Sequence, residues 1–329
     1  MLSDRLPIAL ERGLATLPDT GVIGVFGVRS TDRLDALPKD RVQLVTRHYP
    51  DHAHFASLGY DVTTSPSASY ALAIVVIPRA KDEARHMIAE ASRLSVGAVI
   101  VDGQKTDGID GVLKELRKKA DVGEVLSKAH GKIAVVEEAD VDDWLAGESP
   151  PLEGRFRTAP GVFSADGIDP GSALLAEALP ASLKGRVVDL GAGWGYLADA
   201  VLKRDGVEHL DLVEADHLAL TMARHNIDDD RAEFHWADAR TFRPDFPADH
   251  VATNPPFHTG RRADASLGQA FIKQAAVILR PKGALWLVAN RHLPYESVLK
   301  DAFAETRVLT ETPSYKIFHA SSPRRPRKG

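Results

Sequence analysis

Apolar and polar positions alternate in blocks along this chain, and the blocks predict two successive runs of strands and helices. In the first half, residues 22–28 form a buried-strand run with glycines, and 41–46 and 70–77 are two more strand runs, the last stopped by Pro78. A helix is predicted over 81–94, with Ala84, Met87, Ile88 and Ala91 at helical spacing. A strand at 97–102, a helix at 109–119 carrying Leu113 and Leu116, and a late strand at 133–136 follow. Strands that are apolar throughout, alternating with helices, imply a parallel sheet covered on both faces.

Residues 147–154 mix Gly, Pro and charge, which reads as a linker. The chain is therefore expected to divide into a first domain over 1–148 and a second over 155–329. The second run opens with a turn-rich segment at 158–164 and a helix carrying Leu174, Leu175 and Ala178. Strands are predicted at 186–190, 209–213, 232–236 and 249–253. Helices follow the first two, and a third, over 265–279, carries Phe271, Ile272, Ala275, Ala276 and Leu279 on one face. A turn at 281–283, a strand at 284–290, a short helix at 298–303 and an antiparallel pair (307–310 with 315–319) complete it. The expected fold class is α/β: two tandem Rossmann-like domains, each a mostly parallel sheet with helices on both faces, the second ending in an antiparallel pair.

Bulk properties narrow the function. At 329 residues two domains are natural, and 44% hydrophobic with 26% charged residues is ordinary for a globular chain. No apolar run approaches the roughly 18 residues of a membrane span, and residues 1–7 lack the basic and apolar regions of a signal peptide. Zero cysteines excludes disulfides and thiolate metal sites, and fits a cytoplasmic location. His48, His52 and His54 are close in sequence with no cysteine beside them and read as surface or packing histidines, so no metal is expected. Net charge is −5: residues 1–150 carry 18 Lys and Arg against 23 Asp and Glu, and the remainder 23 of each. A nucleic-acid partner would thus be met by local basic patches; the tail Arg324-Arg325-Pro326-Arg327-Lys328 is either such a patch or a solvated terminus.

Chemistry concentrates in the second half. Gly191-Ala192-Gly193-Trp194-Gly195 follows a strand and precedes a helix, so the backbone can turn sharply and present free N–H groups to a nucleotide-like ligand. The third glycine comes one residue earlier than in the dinucleotide fingerprint, which does not by itself exclude a dehydrogenase. Glu214 ends the second strand about 20 residues on, where an acid suits ribose hydroxyls. Asp238 leaves the third strand, where it could accept from an adenine amine. Asn254-Pro255-Pro256-Phe257 leaves the fourth. Two prolines stiffen the backbone at a strand exit, where open α/β sheets keep their sites. The Asn amide and a proline carbonyl can accept hydrogen bonds from a flat amino-bearing group, and the ring can stack on it. The first half has no tight glycine turn between a strand and a helix, and its third strand exits at Pro78-Arg79-Ala80 instead.

This order of elements resembles a class I S-adenosylmethionine-dependent methyltransferase. Within that class, residues 158–320 resemble the bacterial 16S rRNA guanine-N2 methyltransferase family (the RsmC and RlmG type). The resemblance rests on Pro160-Gly161-Val162-Phe163-Ser164 with Asp169-Pro170-Gly171-Ser172, on Asn254-Pro255-Pro256-Phe257-His258, on residues 288–295 and on residues 315–320. The first half resembles the family in architecture only, as a copy that has lost its cofactor site.

The resemblance implies S-adenosylmethionine as cofactor and S-adenosylhomocysteine as product. Asp189, Gly191, Gly193, Gly195, Glu214, Asp238 and Asn254 would line the cofactor site, and Asn254, Pro255, Pro256 and Phe257 would be catalytic. His258, Arg261, Arg262 and Arg291 are candidate RNA contacts; for each arginine a surface salt bridge is the alternative. Ala192, Trp194 and Glu214 depart from the family's common residues, and Trp194 could crowd the methionine end of the cofactor. The implied partner is ribosomal RNA or the small ribosomal subunit, with no membrane and no metal, acting as a monomer. A glutamine or DNA-adenine methyltransferase shares the N-P-P-aromatic clamp. A nicotinamide dehydrogenase and a non-enzymatic RNA-binding or assembly protein are the further alternatives.

Overall fold

The computed structural model describes residues 1–66, 69–145, 147, 150–256 and 265–324. The chain divides into two compact units, Met1–Glu148 and Ser149–Gly329.

Unit 1 runs α1 (Leu2–Glu11), β1 (Ile23–Phe26), β2 (Val42–Val45), α2 (Tyr49–Ser57), β3 (Asp61–Thr63), β4 (Leu72–Val76), α3 (Lys81–Leu94), β5 (Val99–Gln104), α4 (Ile109–Leu116), β6 (Asp121–Val122), β7 (Leu126–Lys128) and β8 (Gly131–Glu137). Its sheet has the order β3-β2-β1-β4-β5-β8-β6, with β7 also on β8. The first five strands are parallel, as their unbroken apolar runs predict. The sheet is mostly parallel, as expected, and β8 is the strand that runs antiparallel to β5. The tight turn at Ala129-His130 sends β8 back beside β7 and β6, both antiparallel to it, so no crossover helix is needed.

Unit 2 runs α5 (Pro170–Ala178), β9 (Gly185–Leu190), α6 (Tyr196–Leu202), β10 (Val207–Glu214), α7 (His217–Asn226), β11 (Ala232–Trp236), β12 (Ala248–Thr253), α8 (Ala265–Ile278), β13 (Leu279–Asn290), α9 (Glu296–Ala302), β14 (Phe303–Glu311) and β15 (Tyr315–Pro323). Its order, β11-β10-β9-β12-β13-β15-β14, repeats that of unit 1 apart from the extra strand β7. The terminal antiparallel pair is present. Pro281-Lys282-Gly283, expected as a turn, instead lies within β13, where a register irregularity between Ala248 and His250 absorbs the extra residues. Two cores cover the sheet. Val188, Leu190, Val251, Leu285 and Leu287 pack on α8, while Val187, Leu210, Leu212 and Val288 pack on α5 and α6.

The two sheets differ at one place that matters. In unit 2, β9 leads through the glycine loop into α6; in unit 1, no helix stands between β1 and β2, only irregular chain and the short turn Lys39–Arg41. A buried charge in unit 1 goes to holding the fold: Arg5 and Asp102, both fully buried, form a two-pronged pair at 2.6 and 2.8 Å. Breaking such a pair from one side costs about 3–5 kcal/mol.

Candidate active site

The parallel order puts the ends of β9, β10 and β12 side by side at the carboxyl edge of the sheet, on either side of the point where the strand order reverses. Sites in open α/β sheets form there. After β9, Gly191, Gly193 and Gly195 all take positive φ, at 78°, 56° and 95°. Gly193 shows why glycine is needed: its φ is left-handed, and a Cβ would point into space with nothing within 4 Å. A backbone so bare can be approached closely by a ligand. The loop is pinned from behind, since Gly191 and Ala192 donate to the Val213 carbonyl at 2.8 and 3.1 Å.

Glu214 fastens the loop in front. Its carboxylate accepts from the Gly193 N–H and from the Asp216 N–H, both at 2.8 Å. Burial raises its pKa, and these backbone donors oppose the rise. Asp189 lies under the loop, fully buried, and neither of its oxygens has a hydrogen-bond partner among the described residues. Burial, with the charge of Glu214 adding to it, pushes its carboxyl up to about 8. A buried acid without a partner is costly, which is why burial favours its neutral form.

Thr253, the last residue of β12, donates its hydroxyl to the Leu190 carbonyl at 2.6 Å, which ties the exit of β12 to the start of the glycine loop. Asn254 follows. Its amide nitrogen donates to Asp169 Oδ2 at 2.9 Å and to Ser172 Oγ at 2.8 Å. Both N–H bonds are thus committed to α5, which turns Oδ1 to the opposite side of the amide. The Asp169-Pro170-Gly171-Ser172 stretch is now readable residue by residue. Asp169 caps α5 by accepting from the Ser172 N–H at 2.7 Å, and Pro170 suits the first turn. At Gly171 a Cβ would stand 3.0 Å from Asp169 Oδ2 and from the Tyr315 ring. Ser172 supplies the hydroxyl. Sequence reasoning noticed this stretch without giving it a role, because 82 and 85 residues separate its partners from Asn254. Ser172→Ala should lower kcat by about 10–100-fold with cofactor affinity unchanged, and Ser172→Thr should restore it; equal losses in both variants would sink this positioning role.

Phe163, Asp169, Ser172, Gly191, Gly193, Trp194 and Asn254 line one cleft. Phe163 stands at its mouth, 56% exposed, and its carbonyl accepts from the Trp194 indole N–H at 3.0 Å. The Trp194 ring is buried against Phe156 and Tyr196. Its hydrogen bond and packing hold it against the 156–163 segment, where it forms part of the cleft wall. Asp238 is held by Arg240, whose Nε and terminal nitrogen lie 2.9 and 2.6 Å from its two oxygens. Arg291 is exposed and pairs with Glu311 at 2.9 Å. Pro255 is buried and Pro256 exposed. Phe257, His258, Arg261 and Arg262 lie outside the described residues, as do Arg325, Arg327 and Lys328.

The sequence profile of the Methyltransferase small domain matches residues 153–319. Ribosomal RNA small subunit methyltransferase C of Psychromonas ingrahamii is 30% identical over 82% of this chain and 83% of its own length. The Pseudomonas putida protein of the same name is 28% identical over 92% and 95%. The solved structure of the T. thermophilus 16S rRNA N2 G1207 methyltransferase, in complex with AdoMet and guanosine, superposes with a TM-score of 0.76. It is 25% identical to this chain and the match covers 93% of this chain and 90% of the other.

A twice-repeated sheet of this order, with a glycine loop and an N-P-P clamp in its second copy, defines a Rossmann-like methyltransferase. The chain belongs to the methyltransferase small domain family and, within it, to the ribosomal RNA small subunit methyltransferase C proteins. Among the described residues, no helix is long and apolar enough to cross a membrane.

Proposed function

We propose that this protein methylates the exocyclic N2 amine of a guanine in ribosomal RNA, most closely that of the small subunit, with S-adenosylmethionine as methyl donor. One observation carries the reading: an Asn amide at a stiffened strand exit, held by two hydrogen bonds, beside a bare glycine loop with an unpartnered buried acid.

The residues present fit the cofactor. Gly191, Gly193 and Gly195 would admit it close to the backbone, Glu214 would hold its ribose, and Asp189 would receive its cationic end. Asp238 would take the adenine amine, with Arg240 sharing that carboxylate. When bound, S-adenosylmethionine supplies an electrophilic methyl group on a sulfonium. The clamp acts on the base, which must leave its stack to enter. Asn254 Oδ1 and the Pro255 carbonyl accept the two amine N–H bonds, while Phe257 stacks on the ring and Phe163 offers a further apolar face at the mouth. Two acceptors out of the ring plane favour a pyramidal nitrogen and aim its lone pair. Alignment of this kind can supply up to about 7–11 kcal/mol, and no strong base is needed, since the amine becomes acidic once alkylated. Residues 155–329 would do the chemistry. Residues 1–148, which lack the glycine loop and its helix, would position RNA or support the catalytic unit. Arg291, Arg261, Arg262 and His258 would meet phosphates. The protein would act as a cytoplasmic monomer.

Mass-spectrometric mapping of ribosomal RNA from a strain lacking this gene should show one N2-methylguanosine lost and restored on complementation. An unchanged methylguanosine map would refute the assignment.

A further inference from the structure

Two strands carry a chelating pattern that the cleft does not use. His209-Leu210-Asp211 lies on β10 and Glu233-Phe234-His235 on β11. The strands pair in parallel with Asp211 opposite Glu233 and Val213 opposite His235. Side chains alternate along a strand, so all four polar groups share one face, while Leu210 and Leu212 enter the core on the other.

The donor atoms converge. His209 Nε2 lies 3.2 Å from Asp211 Oδ1 and 3.7 Å from Glu233 Oε2. One ligand atom from each of His209, Asp211 and Glu233 falls within 4.8 Å of the others. Donors around a tetrahedral ion bound at about 2.0–2.2 Å sit roughly 3.3–3.5 Å apart, so these spacings need little adjustment. His209 Nε2 hydrogen-bonds Asp211 Oδ1 at 3.2 Å, and His235 Nε2 hydrogen-bonds the same oxygen at 2.7 Å. Two imidazoles thus aim at one oxygen of Asp211. The Asp211 side chain is 8% exposed, His209 24% and Glu233 60%, which makes an inner carboxylate and an open outer side where water can complete a shell.

We propose that His209, Asp211 and Glu233 form a divalent-cation site, with His235 orienting Asp211. Mixed imidazole and carboxylate ligands select an ion of the zinc, cobalt or nickel kind over magnesium or calcium. Ligating carboxylates are themselves held by hydrogen bonds from neighbouring groups, the part His235 would play for Asp211. The site is separate from the cleft: Glu214 comes five residues after His209, or about 16 Å along the strand. The ion would join edge strand β11 to β10. The expectation of no metal rested on missing thiolates and on His48, His52 and His54, and an i, i+2 pair on each of two strands escapes both criteria.

The test is calorimetric titration of Zn²⁺ into the chelator-treated full-length protein, with visible absorption of the Co²⁺ form as a second readout. One saturable site is expected. His209→Ala and Glu233→Gln should each weaken it at least about 100-fold and His235→Ala about 10-fold, while His225→Ala changes nothing. Glu233 is exposed enough that its Gln variant should fold. S-adenosylmethionine binding, measured in parallel, should be unaffected. The proposal is overturned if no saturable Zn²⁺ binding is seen, or if binding survives both His209→Ala and Glu233→Gln.

Discussion

Asn254→Ala will lower methyl transfer by about 10³-fold while S-adenosylmethionine affinity stays within about threefold of the parent protein. The size follows from what the side chain does. Truncation removes an acceptor aimed at the amine, and misplacing a reacting group by about 1 Å alone costs on the order of 10²-fold. Affinity survives because the loop does not lean on Asn254: Gly191 and Ala192 hang from Val213, and Gly193 from Glu214. Calorimetry with the cofactor and a single-turnover assay on undermodified RNA separate the two quantities. Turnover near the parent rate would remove Asn254 from the mechanism, and a parallel collapse of affinity would move it into the cofactor site.

The second large effect is on pH. With its carboxyl pushed up to about 8, Asp189 is neutral at pH 7 in the free protein. If the cationic end of the cofactor is received there, the carboxylate form binds better, and binding expels a proton. Affinity then rises about tenfold per pH unit below 8 and levels above it, or roughly 50-fold between pH 6 and pH 8. The sign is that of an acid whose free-state pKa is raised: the penalty is greatest at low pH and vanishes once the group has ionised by itself. Asp189→Asn should bind with a flat profile, and comparing the two proteins cancels the ligand's own titration. An identical slope in the variant would show that Asp189 is not the group concerned.

The long apolar strands of both units and the order of motifs along unit 2 were legible because each is local, whereas β3, β6 and β7, two or three residues each, are too short to carry a pattern. An apolar run bounded by turn residues declares itself, and so does a glycine loop between a strand and a helix. What escaped was distant or locally ambiguous. Asp169 and Ser172 reach Asn254 across more than 80 residues, and no window of sequence contains that contact. Arg5 and Asp102, 97 residues apart, carry no local sign of each other, yet both are fully buried. Helix α1 was hidden by Pro7, which lies inside it. Helix α2 was hidden by a weakly amphipathic run with a single buried residue, Phe55. The hydroxyl of Thr253, which fastens the clamp to the glycine loop, sits on an apolar strand where a threonine carries no signal of its own.

The irregular chain between β1 and β2 bears on the history of this protein. A duplicated domain that had lost activity through a few substitutions could regain it by reversion. Here the path itself has changed, because the helix that would present free N–H groups after the first strand is absent from the copy in unit 1. Rebuilding it would take coordinated insertion and repacking, none of it useful singly. If unit 1 began as a second catalytic copy, loss of catalysis there would behave as a ratchet.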